Sequence, residues 1–209
     1  MAIRPQSRAV LLDKDGTIVE DIPYNVDPTR LKLAEGAGRA LRQLQRAGFK
    51  LIVVTNQSGI ARGLITEQDV RVVERALRAA LRREGVELED FYFCPHHPNG
   101  VVPDYSVACD CRKPRPGMLE RAARDHGIAL EHSWMVGDIL DDVEAGRRAG
   151  CRTVLVGGGN ETVWRLTPMR APHVQATDLA EAARAILTGA PGRERRRRRA
   201  AAVSAESGA

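Results

Sequence analysis

Short runs of consecutive apolar residues alternate along the chain with stretches where apolar residues recur every three or four positions. Ala9–Leu12 (AVLL), Leu51–Val54 (LIVV), Trp134–Val136 and Thr153–Val156 are too short for helices and apolar throughout, which predicts strands covered on both faces. Asp90–Phe93 reads as a further short strand and Val174 as a last edge strand. Gly36–Ala47 reads as a helix, with Ala37, Ala40, Leu41, Leu44 and Ala47 on one face and Gly48 ending it. Thr66 is an N-cap with Asp69 three residues on, an approximate capping box. The helix it opens turns Val70, Val73, Leu77 and Leu81 inward. Gly117–His126, Asp141–Ala149 (stopped by Gly150) and Leu179–Leu187 complete the helices, with Asp141 as an expected N-cap.

This alternation predicts an α/β fold, a Rossmann-like doubly wound parallel sheet with right-handed crossovers. Ligands of such sheets bind beyond the carboxyl ends of the strands. Those ends carry Asp13, Thr55, Cys94 and Asp138. One site therefore collects the chemistry.

Composition adds limits. The 209 residues suffice for one core. No run approaches the ~18 apolar residues of a membrane helix, and Met1–Ser7 has no apolar signal region, so a soluble cytoplasmic monomer is expected. The net charge of +5 is concentrated at one end. Six arginines against Glu194 and Glu206 leave +4 in residues 193–209, and only +1 for the rest. Residues 1–190 are expected to form the folded domain and 191–209 a disordered arginine-rich tail. That tail could hold polyanions non-specifically. A zinc-containing nucleic-acid-binding module is the rival from another class, but aromatics make up only 4% and show no stacking pattern with basic residues. Gly157-Gly158-Gly159 lacks dinucleotide-loop spacing and reads as a turn.

Asp13-Lys14-Asp15-Gly16-Thr17 directly follows the first strand. Two carboxylates two residues apart can divide the labour of phosphoryl transfer, one attacking phosphorus and one handling protons. Gly16 lets the chain leave the strand sharply. Thr55-Asn56-Gln57-Ser58 offers a hydroxyl and backbone amides to phosphate oxygens. Lys113 can neutralise both nucleophile and phosphoryl group. Asp138, after a strand and Gly137, is a natural Mg²⁺ ligand, with Asp141 and Asp142 close behind. Four acids in one site need compensating positive charge, which Mg²⁺ and Lys113 would supply.

Cys94-Pro95-His96-His97-Pro98 precedes Cys109-Asp110-Cys111, with twelve residues between His96 and Cys109. Three thiolates and an imidazole suit a closed, structural Zn²⁺ site of Cys94, His96, Cys109 and Cys111, with His97 the alternative to His96. The loop delivers Arg112 and Lys113 over the phosphate site, where Arg112 can bind phosphate bidentately. Cys151, alone, reads as a buried structural thiol. A disulfide framework is not expected.

These pieces, in this order and each after a strand, resemble the haloacid dehalogenase superfamily of phosphatases over roughly residues 8–160. The resemblance implies Asp13 as nucleophile forming an aspartyl-phosphate, Asp15 as general acid/base, and Thr55 and Lys113 holding the phosphoryl group. Mg²⁺ would be held by Asp13, the backbone carbonyl of Asp15, and Asp138, with Asp142 orienting the site. Between Asp15 and Thr55 there is no room for an inserted cap domain, so the site is expected to be open. Within the superfamily, Asp13–Thr17, Thr55–Gly63, Cys94–Pro98 and Cys109–Met118 closely resemble the bacterial heptose bisphosphate 7-phosphatases. That family removes the C7 phosphate of D-glycero-D-manno-heptose 1,7-bisphosphate. It is similar to the histidinol-phosphate phosphatases, whose zinc loop is typically shorter. The resemblance implies a small phosphorylated sugar substrate, bound by Asp13–Asp15, by Asp21, Ile22, Pro23 and Tyr24, by Thr55, Asn56, Gln57 and Ser58, and by Arg112 and Lys113. Ile139 stands where the family often has lysine or another polar residue, and the arginine tail lies outside its pattern.

Overall fold

The computed structural model describes residues 7–157 and 164–189. The arginine-rich segment and most of the Gly157–Gly159 turn fall outside these residues. Six strands form one parallel sheet: β1 Ala9–Leu12, β2 Lys50–Asn56, β3 Asp90–Cys94, β4 Trp134–Gly137, β5 Arg152–Val156 and β6 Val174–Ala176. Their order is β3-β2-β1-β4-β5-β6, with every pairing parallel. The helices between them are α1 Ala37–Arg46, α2 Glu67–Arg83, α3 Gly117–His126, α4 Leu140–Arg148 and α5 Leu179–Thr188. The expected doubly wound sheet is present, and none of the described helices is long and apolar enough to cross a membrane.

The side-chain alternation of β1 shows why its four residues are all apolar. Val10 and Leu12 face a core built with α1, α2 and α5. Ala9 and Leu11 face the opposite core, against Met118, Leu119 and Ala122 of α3 and Ala145 of α4. A fully buried leucine contributes about 1.5–3 kcal/mol, and Leu11 and Leu12 are both fully buried. The central strand is thus anchored from both sides, and its carboxyl end is a fixed point for whatever follows.

Local signals act as expected at most element ends. Thr66 accepts from the Asp69 amide while the Asp69 carboxylate accepts from the Thr66 amide, a complete capping box. Gly48 and Gly150 stop their helices in the left-handed region, at φ +85 and +83. One cap differs. α4 begins at Leu140, with Ile139 at its N-cap and Asp141 inside the first turn. Asp142, not Asp141, accepts the Ile139 amide, at 3.3 Å. Asp141 instead pairs with Arg170, from a distant segment. The chain from Asp15 to Thr55 contains only a short 3-10 turn, α1 and the start of β2, so no cap domain is inserted there.

Candidate functional site

β1, β2 and β4 are adjacent in the sheet, so their carboxyl ends bring Asp13, Thr55 and Asp138 to one place. The Asp13 amide donates to the Val136 carbonyl of β4 at 2.9 Å, extending the sheet by one bond. Gly16 then turns at φ +74. The next wall comes from the loop before α3. Asn56 clamps it with both ends of its amide: Nδ2 donates to the Lys113 carbonyl and Oδ1 accepts from the Lys113 amide, each at 3.1 Å.

That clamp drives Lys113 into the sheet end, where it is 1% exposed. Its Nζ lies 2.5 Å from Asp13 Oδ1 and 2.6 Å from Asp142 Oδ1, and donates to the Val54 carbonyl at 2.9 Å. Burial alone would lower the lysine pKa, but the Asp13 and Asp142 carboxylates overrule it and raise it. Burial pushes the Asp13 carboxyl up, Lys113 pulls it down, and Asp142 and Asp15 add to the rise. Asp142 is raised first by burial, against Lys113.

Asp13, Asp138 and Asp142 each direct a carboxylate oxygen to one point, all within 4.8 Å of one another and all buried. Lys113 contacts two of these three buried carboxylates, and a divalent cation with oxygen ligands fits the donor set. The close approach depends on Gly137, because a Cβ there would overlap the Asp142 carboxylate.

Asp15 stands apart from this group. Its carboxylate pairs with Lys14 and accepts from Gln57 Nε2 at 3.1 Å. Gln57 Nε2 also reaches Thr55 Oγ1 at 3.1 Å. Asp15 borders a cavity of about 240 Å³ lined by Lys14, Asp21–Asn25 and Asn56–Gly59. Burial and the nearby Asp15 raise the Asp21 pKa, with Lys14 opposing. Tyr24 holds a left-handed φ of 53 over this cavity, its ring against Gly59, where a Cβ would come within 2.8 Å. A non-glycine residue in that region stores strain, common where a loop shapes a binding site.

The sulfurs of Cys94, Cys109 and Cys111 lie 3.1–3.5 Å apart. His96 Nδ1 is 3.3 Å from Cys111 Sγ and 3.6 Å from Cys94 Sγ. Four soft donors converging on one point can hold a metal in a closed tetrahedron. His97 is not among them: its Nδ1 accepts from the Asn99 amide and its Nε2 lies 3.5 Å from Arg62 Nη2. Hydrogen bonds from Cys94, then Cys109 and His96, hold Cys111 below the usual thiol range, while its hydrogen bond and burial push Cys94 up, and burial and the same sulfur push Cys109 up, so the three sulfurs titrate together. Gly117 lets the loop fold back tightly, since a Cβ would meet the Asp110 carbonyl at 2.5 Å.

Besides the cluster of Cys94, His96, Cys109 and Cys111, the predicted phosphate- and sugar-contacting residues fall into three groups. Asp13, Thr55, Lys113 and Asp138 share the sheet end. Asp15, Asp21, Ile22, Pro23, Tyr24, Asn56, Gln57 and Ser58 line the cavity beside it. Arg112 borders a second cavity, of about 420 Å³, with Pro98 and Lys113. Lys14, inside the Asp13–Asp15 stretch that the resemblance implied, has its side chain buried against Asp15. Sequence reasoning missed Arg62, beside His97, whose partner is fixed by packing rather than by local pattern.

A parallel sheet in this order, with acids after β1 and β4, a hydroxyl ending β2 and a buried lysine between them, defines a hydrolase of the haloacid dehalogenase type. The HAD-hydrolase-like family matches residues 110–182. The chain is 43% identical over 152 residues to the D-glycero-β-D-manno-heptose-1,7-bisphosphate 7-phosphatase of Yersinia pestis, covering 72% of this chain and 81% of that one. With its namesake from Escherichia coli K12 it shares 44% over 153 residues, covering 72% and 80%. The solved D,D-heptose 1,7-bisphosphate phosphatase of B. bronchiseptica, complexed with magnesium and phosphate, superimposes with a TM-score of 0.75 at 30% identity, covering 88% and 99%. The chain belongs to the D-glycero-β-D-manno-heptose-1,7-bisphosphate 7-phosphatase family.

Proposed function

We propose that this chain hydrolyses the C7 phosphate ester of D-glycero-D-manno-heptose 1,7-bisphosphate through an aspartyl-phosphate. The observation that carries the reading is Lys113, buried between Asp13 and Asp142 beside a third carboxylate, Asp138, in a chain whose relatives bear that name. An Asp13 carboxylate oxygen attacks phosphorus, and the bond to the C7 oxygen breaks. Asp15, held off the acid cluster by Lys14 and Gln57, gives that oxygen its proton. Asp15 then takes a proton from the water that cleaves the aspartyl-phosphate, releasing phosphate and restoring Asp13. Thr55 and Lys113 bind the transferring phosphoryl oxygens, and Lys113 offsets their charge.

Mg²⁺ would be held by Asp13, Asp138 and the Asp15 carbonyl, and would supply charge neutralisation for the phosphoryl group. Asp142 acts on Lys113 rather than on the metal. Zn²⁺ would be held by Cys94, His96, Cys109 and Cys111, four protein donors that suit a structural role, and would staple the loop that carries Arg112 and Lys113. The sugar lies along Asp21–Tyr24 and Asn56–Ser58, whose cavity offers hydrogen-bonding groups of both polarities.

The test is Mg²⁺-dependent phosphate release from heptose 1,7-bisphosphate and histidinol phosphate, side by side. A higher kcat/KM for the heptose is expected. Preference for histidinol phosphate overturns the substrate while leaving the phosphoryl chemistry intact. Asp13→Asn is expected to abolish turnover while leaving the fold intact by circular dichroism; substantial residual activity would sink the nucleophile assignment.

A further inference from the structure

Gln57 reaches the phosphoryl site with its backbone already tied. Its amide donates to the Cys94 carbonyl at 2.8 Å, and its carbonyl accepts from the Ile60 amide at 3.2 Å. The side chain therefore starts from a fixed point. Nε2 lies 3.1 Å from Asp15 Oδ2 and 3.1 Å from Thr55 Oγ1. An amide NH₂ has two hydrogens in a fixed plane and donates both. Against a carboxylate that is also paired with Lys14, the nitrogen end of the amide is the one that fits. One hydrogen goes to Asp15 and the other to Thr55.

The consequences differ for the two partners. Thr55 is 1% exposed, and among the described residues its hydroxyl has no partner other than Gln57. The oxygen serves as an acceptor there, so its own hydrogen is left to donate. An unpaired buried donor is unfavourable, and a phosphoryl group beside Asp13 supplies the acceptor. Asp15 is gripped at both oxygens, Oδ1 by Lys14 and Oδ2 by Gln57. Each oxygen keeps a further lone pair, so the grip leaves room for a proton. It also keeps the carboxyl at the border of the 240 Å³ cavity. One amide thus sets the groups on either side of the bond that breaks, Thr55 at the phosphoryl oxygens and Asp15 at the oxygen that leaves. With both hydrogens committed to the protein, only Oε1 of Gln57 is left for a sugar hydroxyl.

We propose that Gln57 is a positioning residue for phosphoryl transfer, holding Thr55 and Asp15 in register across the scissile P–O bond. This rests on the reading of Asp13, Asp15 and Thr55 given above.

The experiment measures kcat and KM with Mg²⁺ for wild type, Gln57→Leu and Gln57→Glu on heptose 1,7-bisphosphate and on p-nitrophenyl phosphate, whose leaving group departs as a stable anion and needs no proton. In Gln57→Leu, kcat for the heptose ester is expected to fall roughly tenfold to hundredfold, the range of a misplaced reacting group, with KM near wild type. The loss on p-nitrophenyl phosphate is smaller, because only the Thr55 share is felt there. Gln57→Glu fills the same space, yet it turns the Thr55 hydrogen toward itself and sets a like charge against Asp15, so it loses more than Gln57→Leu. In an Asp15→Asn background, Gln57→Leu leaves the ratio of the two kcat values unchanged, since the group it positions for the leaving oxygen is already gone. Melting curves check that each variant is folded. A raised KM at wild-type kcat makes Gln57 a sugar contact and overturns the proposal. Equal losses on the two esters, or none, overturn it as well. In each of those cases an inactive Asp13→Asn leaves the phosphoryl reading standing, whereas an active one removes that reading and the proposal together.

Discussion

Replacing Lys113 by methionine keeps a linear, flexible side chain and removes only the ammonium group. In the wild type that group meets Asp13 at 2.5 Å, Asp142 at 2.6 Å and the Val54 carbonyl at 2.9 Å, at 1% exposure. Its loss takes from the buried Asp13 and Asp142 carboxylates the ammonium group that both contact. Deleting one partner of a buried ion pair costs roughly 3–5 kcal/mol. A chain of this size melts about 2–4 °C lower per kcal/mol lost. The Lys113→Met protein in EDTA is therefore expected to melt roughly 6–20 °C below wild type, followed by circular dichroism. Adding Mg²⁺ restores part of the difference, because an ion that binds only the folded state stabilises it by mass action. Turnover with Mg²⁺ falls roughly 10²–10³-fold, as when one preorganised electrostatic contact is removed. An EDTA melt within about 2 °C of wild type refutes the reasoning, since it means the carboxylates need no fixed counter-ion.

Three further outcomes follow from other features. Cys109→Ser is expected to lose bound zinc and most activity, because the sulfur lies 3.3 Å from Cys111 Sγ at the root of the loop carrying Lys113; full zinc by atomic absorption would rule out that ligand set. Gly137→Ala forces a Cβ into Asp142, and overpacking of that kind costs about 1–3 kcal/mol, so both melting temperature and kcat should drop; an unchanged melt would show that Asp142 can yield. His173 Nδ1 accepts from the Thr153 amide at 3.0 Å, and burial, then Arg147 and Arg152, lower its pKa below 6.5. The unfolded chain then binds the proton first, so stability should fall as pH drops through 6.5, and His173→Asn should flatten that slope in urea titrations between pH 7 and 5.

The sequence made the sheet legible because its strands are apolar on both faces. Where polar residues end a strand, the pattern stops short: β2 runs on through Thr55 and Asn56, and β4 through Gly137. The same bias explains the misplaced cap. Asp141 is a good N-cap residue, but the fold offers it Arg170, while Asp142 serves the Ile139 amide. His96 and His97 are equivalent as letters and separate only once the loop is closed. The Asn56 clamp on Lys113 joins residues 57 apart, and the Arg62–His97 contact joins residues 35 apart, so no local window contains either. Asp13 and Asp138 were legible because each directly follows a buried strand, whereas Asp142 lies inside the first turn of α4.

The two clusters of ligating side chains also differ in how much chain each must enclose. Cys94 and Cys111 are 17 residues apart, whereas Asp13 and Lys113 are 100 apart. On polymer grounds the shorter closure is favoured by about 1.5 kcal/mol before any contact is made. Closing the thiolate cluster needs no residue beyond Cys111, whereas the phosphoryl centre needs Asp142. The loop that carries Lys113 can therefore close independently of the last acid.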